Sequence, residues 1–398
     1  MWVLQEAALA RANQCFCESV EFDLLDVTRV AAWLVYNYYY VDPDLRLGCS
    51  YTADMNDLMD HEYGYHRAQT GHAAGALYLL DLAQQRLATN PIDKLYGILG
   101  LTTNADGETH LDLVPDYKKT LGEAFRDAAW CLARAGDMTF LDYIRHRPGS
   151  DDDFPSWVPK WHVGKDLDED PNFMSLLFDV CSKRKSSAPT MNPTEASDEI
   201  AVDGLKVDTV RSLTRRMMTF SMGQADQLQA KEVAALLVQI QDMVTQSGHD
   251  PNDIFSLAST LVAGVDVNYK LVTSEIEQGY NALLSLVSEQ ETLPPSLSSL
   301  RRDSGPGAIL ASQYLEAMGN ACRNRAFFVT STGHFGLGPY FMQEKDVVAI
   351  VYGLQFPVVL RPLGEERSEF LGTCYVHGIM SGEALEGRTG EDYVLRLC

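Results

Sequence analysis

The sequence predicts an α+β protein, mostly helical in its N-terminal and middle parts, with a small antiparallel β cassette at the C-terminus. Three observations predict it. Apolar residues recur at three- and four-residue steps through much of the first 320 residues, as buried helix faces require. From Arg325 onward the pattern changes to short β-favouring runs separated by glycine and proline. Between them, Asp168-Glu169-Asp170, Ser182–Ser187 and Ala188–Ser197 are polar and proline-containing, as linkers or surface loops are. The chain therefore divides into 1–165, 166–324 and 325–398.

Taken in order, Trp2–Arg11 is rich in helix formers, with Val3, Ala7 and Ala10 at helical spacing and no capping residue before them. Residues 20–90 read as interrupted helix, with Phe22, Leu25, Val30, Trp33 and Leu34 near one face and Tyr36–Tyr40 as core aromatics. Asn90 is placed to cap a helix opening at Pro91, with Leu95, Ile98 and Leu99 buried and Gly100 ending it. A long helix over Thr120–Ala135 follows, with Glu123 and Asp127 towards solvent. Later come a short strand or hairpin over Ile200–Asp208 and helices over Gln224–Ser247, Ile254–Ala263, Ser274–Ser288 and Gly307–Cys322.

In the cassette, Ala326–Thr330 is a strand, and Gly333–Pro339 is turn chemistry that breaks any helix. Asp346–Tyr352 and Phe356–Arg361 flank a short glycine-containing loop, as hairpin strands do. Pro357 has no N–H to donate, which predicts an edge position. Phe370–Val376 forms another strand.

Composition bounds the function. Of 398 residues, 46% are hydrophobic, enough for a sizeable core. The 55 acidic residues against 32 basic ones give a net charge of −23, which disfavours nucleic acid and anionic lipid as partners. Eight cysteines are scattered without disulfide-scaffold or zinc-module spacing, which fits a reducing, cytoplasmic setting. Cys15-Phe16-Cys17 is too close for the usual ligand pair, and His61, His66 and His72 near Asp57, Asp60 and Glu62 lack a metal-binding spacing, so no metal is expected. No apolar run approaches the ~20 residues of a membrane span.

Several stretches together carry a family resemblance. In the cassette they are Phe328-Val329-Thr330, Gly333-x-x-Gly-Leu-Gly-Pro339, Asp346-x-Val348, Pro357-x-Val-Leu-Arg-Pro362 and Tyr375-Val-His-Gly-Ile-Met-x-Gly-Glu-Ala384. Upstream they are Asn90-Pro-Ile-Asp-Lys-Leu-Tyr-Gly-Ile-Leu-Gly-Leu101, Pro115-Asp116-Tyr117 and Pro155-Ser-Trp-Val-Pro-Lys-Trp161. The set resembles fungal heterokaryon incompatibility (HET-domain) proteins, with Lys160 departing from the family's acidic residue. In that family a Trp-x-x-Gln-Glu-x-x-x-Ala segment like Trp2–Ala10 lies well inside the domain. The resemblance thus implies that residues 1–165 are a partial HET-like region whose N-terminal half is missing. It also implies a role in nonself recognition and programmed cell death through protein partners, with no cofactor.

A second class of function attaches to Glu6. HET domains are distantly similar to TIR domains, whose NAD-cleaving members carry a Trp-x-x-x-Glu helix, and Trp2 and Glu6 match that spacing. A carboxylate beside an indole suits stabilisation of an oxocarbenium-like charge. The alternative is therefore an enzyme, either a TIR-like NAD hydrolase or a HET-like protein recruited to a biosynthetic pathway. Trp157 and Trp161 either pin their segment to a core or line a ligand cleft, and His334 and His377 are candidates to meet in space. There is no nucleophile elbow, phosphate loop, zinc-binding histidine pair or dinucleotide fingerprint. If Cys374 and His377 lie on one strand, an offset of three puts them on opposite faces.

Overall fold

In the computed structural model the described residues are 6–8, 10, 13–37, 72–102, 111–144, 154–163, 177–182, 198–215, 217, 230–248, 253–289, 305–364, 366–386 and 393–398. They fall into two compact units, Met1–Phe140 with Val158–Lys165, and Leu141–Trp157 with Asp166–Cys398.

The first unit opens with a hairpin of β1 (Gln14–Cys17) and β2 (Val20–Asp23), joined through Glu18 in a left-handed conformation. Val20–Asp23 thus departs from the interrupted helix expected over residues 20–90, its apolar Val20 and Phe22 alternating with Glu21 and Asp23. Helix α1 (Leu24–Asn37) follows, and then α2 (His72–Gln84). The helix expected from Pro91 is a single turn, α3 (Asp93–Tyr96), which gives way at Gly97 to a tight turn over Leu99–Leu101. The Asn90 side chain accepts from Ile92 N–H, forming a local turn. Leu95 and Ile98 are fully buried as expected. Helix α4 (Leu121–Arg134) starts at a capping box in which Thr120 and Glu123 satisfy each other's backbone N–H groups. It buries Phe125, Ala128, Ala129 and Leu132.

The second unit holds β3 (Ile200–Leu213), α5 (Ala230–Gln246), α6 (Ile254–Leu261), α7 (Ile276–Glu289) and α8 (Pro306–Cys322). The helices lie where the apolar spacing placed them. Seven strands follow, namely β4 (Arg325–Thr330), β5 (Phe335–Pro339), β6 (Val347–Val351), β7 (Val358–Pro362), β8 (Arg367–Thr373), β9 (Tyr375–Val376) and β10 (Tyr393–Leu397).

The sheet order is β10-β8-β7-β6-β3-β4-β5-β9, and β10 also pairs with β3. Because β9 continues the path of β8 and itself pairs with β5, the sheet closes on itself at both ends. All pairings are antiparallel except β10 with β8. The α+β class is as expected, but the sheet is larger than a cassette after Arg325. Strand β3, expected to end at Asp208, runs to Leu213 and pairs with three others.

Two local expectations are corrected. Gly333–Pro339 is not simply a turn, since β5 occupies Phe335–Pro339 and pairs with β4. Its glycines make room. A Cβ on Gly336 would lie 2.3 Å from the Phe328 ring, and one on Gly338 2.6 Å from Met342 Sδ. Pro357 is not on an edge, because β7 lies between β6 and β8. It precedes the first paired residue of β7, and its carbonyl accepts from Cys374 N–H at 2.8 Å, so no N–H is missed.

Both faces of this sheet are buried. Val210, Phe328, Met342, Val348, Val359, Leu371, Cys374 and Val376 share one core. Phe327, Val329, Phe335 and Leu337, at alternate positions of β4 and β5, pack instead with Leu261, Leu315 and Met318 from the helices.

Overpacking sets a first test. Gly336→Ala should cost about 1–3 kcal/mol in urea unfolding, whereas Gly75→Ala in α2, with nothing within 4 Å, should stabilise by about 0.4–1 kcal/mol. Equal effects at the two positions would show that the Phe328 ring does not depend on that glycine.

Candidate functional site

The motif residues converge on two places. In the first unit the centre is Lys94, buried on α3. Its ammonium donates to the carbonyls of Gln84 and His162, each at 2.9 Å, while the Gln84 amide donates to Val163 O at 2.8 Å. Burial lowers the Lys94 pKa. Tyr117 donates to Asp93 at 2.8 Å, Tyr96 donates to Asp116 O at 3.2 Å, and the two phenol rings meet edge to face at 5.3 Å. The Asp93-Lys94-x-Tyr96 and Pro115-Asp116-Tyr117 motifs are thus one packed knot.

In the second unit the centre is Asp346, 3% exposed at its side chain. Arg361 grips it side-on, with Nε at 3.1 Å from Oδ1 and Nη2 at 3.0 Å from Oδ2, while Nη2 also donates to Phe341 O. Gln343 N–H donates to the same carboxylate at 2.7 Å. The backbone of Asp346 accepts from Val210 N–H, tying the pair to β3. Nearby, Asp208 accepts from the backbone N–H and hydroxyl of Thr332 and from Thr209 N–H. Burial works to raise its pKa, but hydrogen bonds from Thr332, Thr330 and Thr209 outweigh that and hold it below the ordinary carboxylate value.

The expected site residues are placed as follows. Glu6 is exposed in a short helical stretch, and Trp2 lies outside the described residues. Trp157 is fully buried in the second unit, its Nε1 donating to Asp198 O at 2.8 Å. Trp161, 1% exposed in the first unit, meets Phe125 edge to face at 5.9 Å. His334 and His377 lie at facing ends of β5 and β9, with His377 N–H donating to Phe335 O. His377 follows β9 in a turn with Gly378 at φ 86°, and His334 immediately precedes β5. His377 Nδ1 is 3.3 Å from the Tyr375 hydroxyl, and its ring meets Phe255 edge to face. Cys374 is buried in the sheet core, where burial pushes its thiol up to about 12. His61, His66, Asp57, Asp60 and Glu62 lie outside the described residues, as does the side chain of His72. Among the described residues no three His, Cys, Asp or Glu side chains group as a metal site, and no helix is long and apolar enough to cross a membrane.

Sequence reasoning passed over Lys94, the Asp346–Arg361 pair and Gly382. Gly382 has φ 94°, and a Cβ there would fall 1.8 Å from Ser182 Oγ. Each lies within a motif, which was the available signal, but its partner is distant in sequence.

Residues 297–396 match the family described as the Het-6 beta-barrel domain, which covers α8 and β4–β10. The matched stretch is thus similar to a Het-6 barrel, and β3, which pairs with three of the strands, lies outside it. Heterokaryon incompatibility protein 6, OR allele, of Neurospora crassa is 23% identical over 363 residues, covering 77% of this chain and 51% of the relative. The chain spans about half the length of the curated relative it matches. No solved structure matches. The resemblance to fungal heterokaryon incompatibility proteins is borne out by both findings.

Arg361→Leu leaves a buried carboxylate without its cation and should cost about 3–5 kcal/mol, with part recovered in the double variant Asp346→Asn/Arg361→Leu. Full additivity of the two single changes would mean the pair contributes no coupling. For Asp208 the folded pKa lies below the unfolded one, so its stabilisation is complete above the unfolded value and lost as pH falls through the folded one. Asp208→Asn should therefore remove part of the fall in Tm below about pH 4. Superimposable acid limbs for the two proteins would contradict this.

Proposed function

We propose that this protein acts in fungal nonself recognition, in the vegetative incompatibility and programmed cell death that follow, and that it does so by binding other proteins in the cytoplasm. The observation that carries the reading is the coincidence of the Het-6 barrel match with a closed sheet packed by side chains. The name of the relative in Neurospora crassa supports the same biology. Its distinctive residues are committed to architecture. Asp346 and Arg361 pin strands, Gly336 and Gly338 admit neighbouring side chains, and Trp157 anchors a crossing segment. What such a scaffold offers a partner is its outer surface.

Induced expression in filamentous strains that differ at an incompatibility locus should arrest growth, with dye uptake by dying cells, in one allelic background only. Equal growth in every background, with the protein accumulating normally, would remove this reading. Purified protein incubated with NAD should release no nicotinamide above the blank, and Glu6→Ala should change stability by no more than ~1 kcal/mol. Nicotinamide release that disappears in Glu6→Ala would replace the interaction protein with the enzyme.

A further inference from the structure

We infer that the strap Pro155–Trp157 is a latch on β10, and that its release is what lets β10 leave the barrel. Strand β10 is short and unevenly held. It makes five residue pairs with β3, but only Arg396↔Arg367 and Leu397↔Ser368 with β8. Beyond those two pairs the seam between β8 and β10 is closed by something other than a strand. The N–H of Phe370, buried on β8, donates to Ser156 Oγ at 2.8 Å. The Ser156 hydroxyl in turn donates to Cys398 O, just past β10, and the same oxygen accepts from Ser156 N–H at 2.8 Å. One serine thus relays a β8 donor to a β10 acceptor where a direct ladder bond would otherwise run.

The next residue secures the third strand of the junction. Trp157, fully buried, donates its indole N–H to Asp198 O, two residues before β3 begins. The strap therefore touches β8, β10 and the entry to β3, more than 150 residues ahead of β8 and β10 in sequence. Leu395 and Leu397 point inward from β10 and are buried, while Tyr393 and Val394 are about half exposed. Departure of β10 would uncover backbone edges on β3 at Ile200–Gly204 and on β8 at Arg367–Ser368. Such edges are templates for an added strand.

The test is residue-resolved hydrogen exchange on the full chain. Ser156→Ala strands the Phe370 N–H, and should speed exchange of the Tyr393–Leu397 amides at least tenfold while Val347–Val351 on β6 stays within twofold. Ser156→Thr keeps the hydroxyl and should exchange like the parent. A uniform acceleration of both strands, or no change in β10, would overturn the latch and leave Ser156 as an ordinary packing residue. If Ser156→Ala does not fold, the parent protein decides. Under weakly denaturing conditions its β10 amides should exchange through a partial opening while β6 remains protected, and simultaneous exchange of β10 and β6 only on global unfolding would overturn the proposal.

Discussion

The second unit depends on the hydrogen bonding of one strand. Over fourteen residues β3 pairs with β10, then β6, then β4, and it changes register at Lys206/Asp208 and again at Val210/Ser212 to do so. Those irregularities bend the strand, which is how a sheet curls far enough to meet itself. Both closures of the barrel pass through β3. The remaining specific contacts in this unit act to hold the curvature that β3 imposes.

Three kinds of contact do this. The Phe328 ring lies over Gly336, its partner across the β4–β5 ladder, in the space a Cβ would occupy. The Asp346–Arg361 pair fixes the approach to β6 against β7, in a setting where the Asp346 carboxylate alone would be a buried charge without a counterion. Gly382, in a left-handed conformation, lets the chain after β9 lie against Ser182. In the first unit Lys94 has a similar function. Its ammonium satisfies the carbonyl of Gln84 at the end of α2, one of the acceptors that a helix C-terminus leaves open.

Much of this was legible from local pattern, and the rest fails for identifiable reasons. Helices α5–α8 and strands β4, β6, β7 and β8 are long or apolar enough for periodicity to mark them. Strand β5 was hidden because glycine reads locally as a breaker, while the reason for Gly336 is an aromatic ring on the neighbouring strand. The full length of β3 was hidden because its later residues are polar on one side and earn their conformation only by pairing with β4. The candidate residues divide in the same way. The burial of Trp157, Trp161 and Cys374 follows from their composition, whereas the placement of His334 and His377 at the ends of β5 and β9 depends on a strand pairing that no local pattern encodes.

The distance along the chain between β3 and β10 has a consequence for biogenesis. Their paired residues are roughly 190 positions apart, so closure carries a large loop-entropy cost and a high contact order, the combination that makes β topologies slow to fold. During synthesis β3 emerges long before its partner. At about 5–20 residues per second, the interval between them is on the order of ten seconds or more. Throughout it, Ile200–Gly204 lacks the partner that will cover one of its edges, and stands as an open template for another strand.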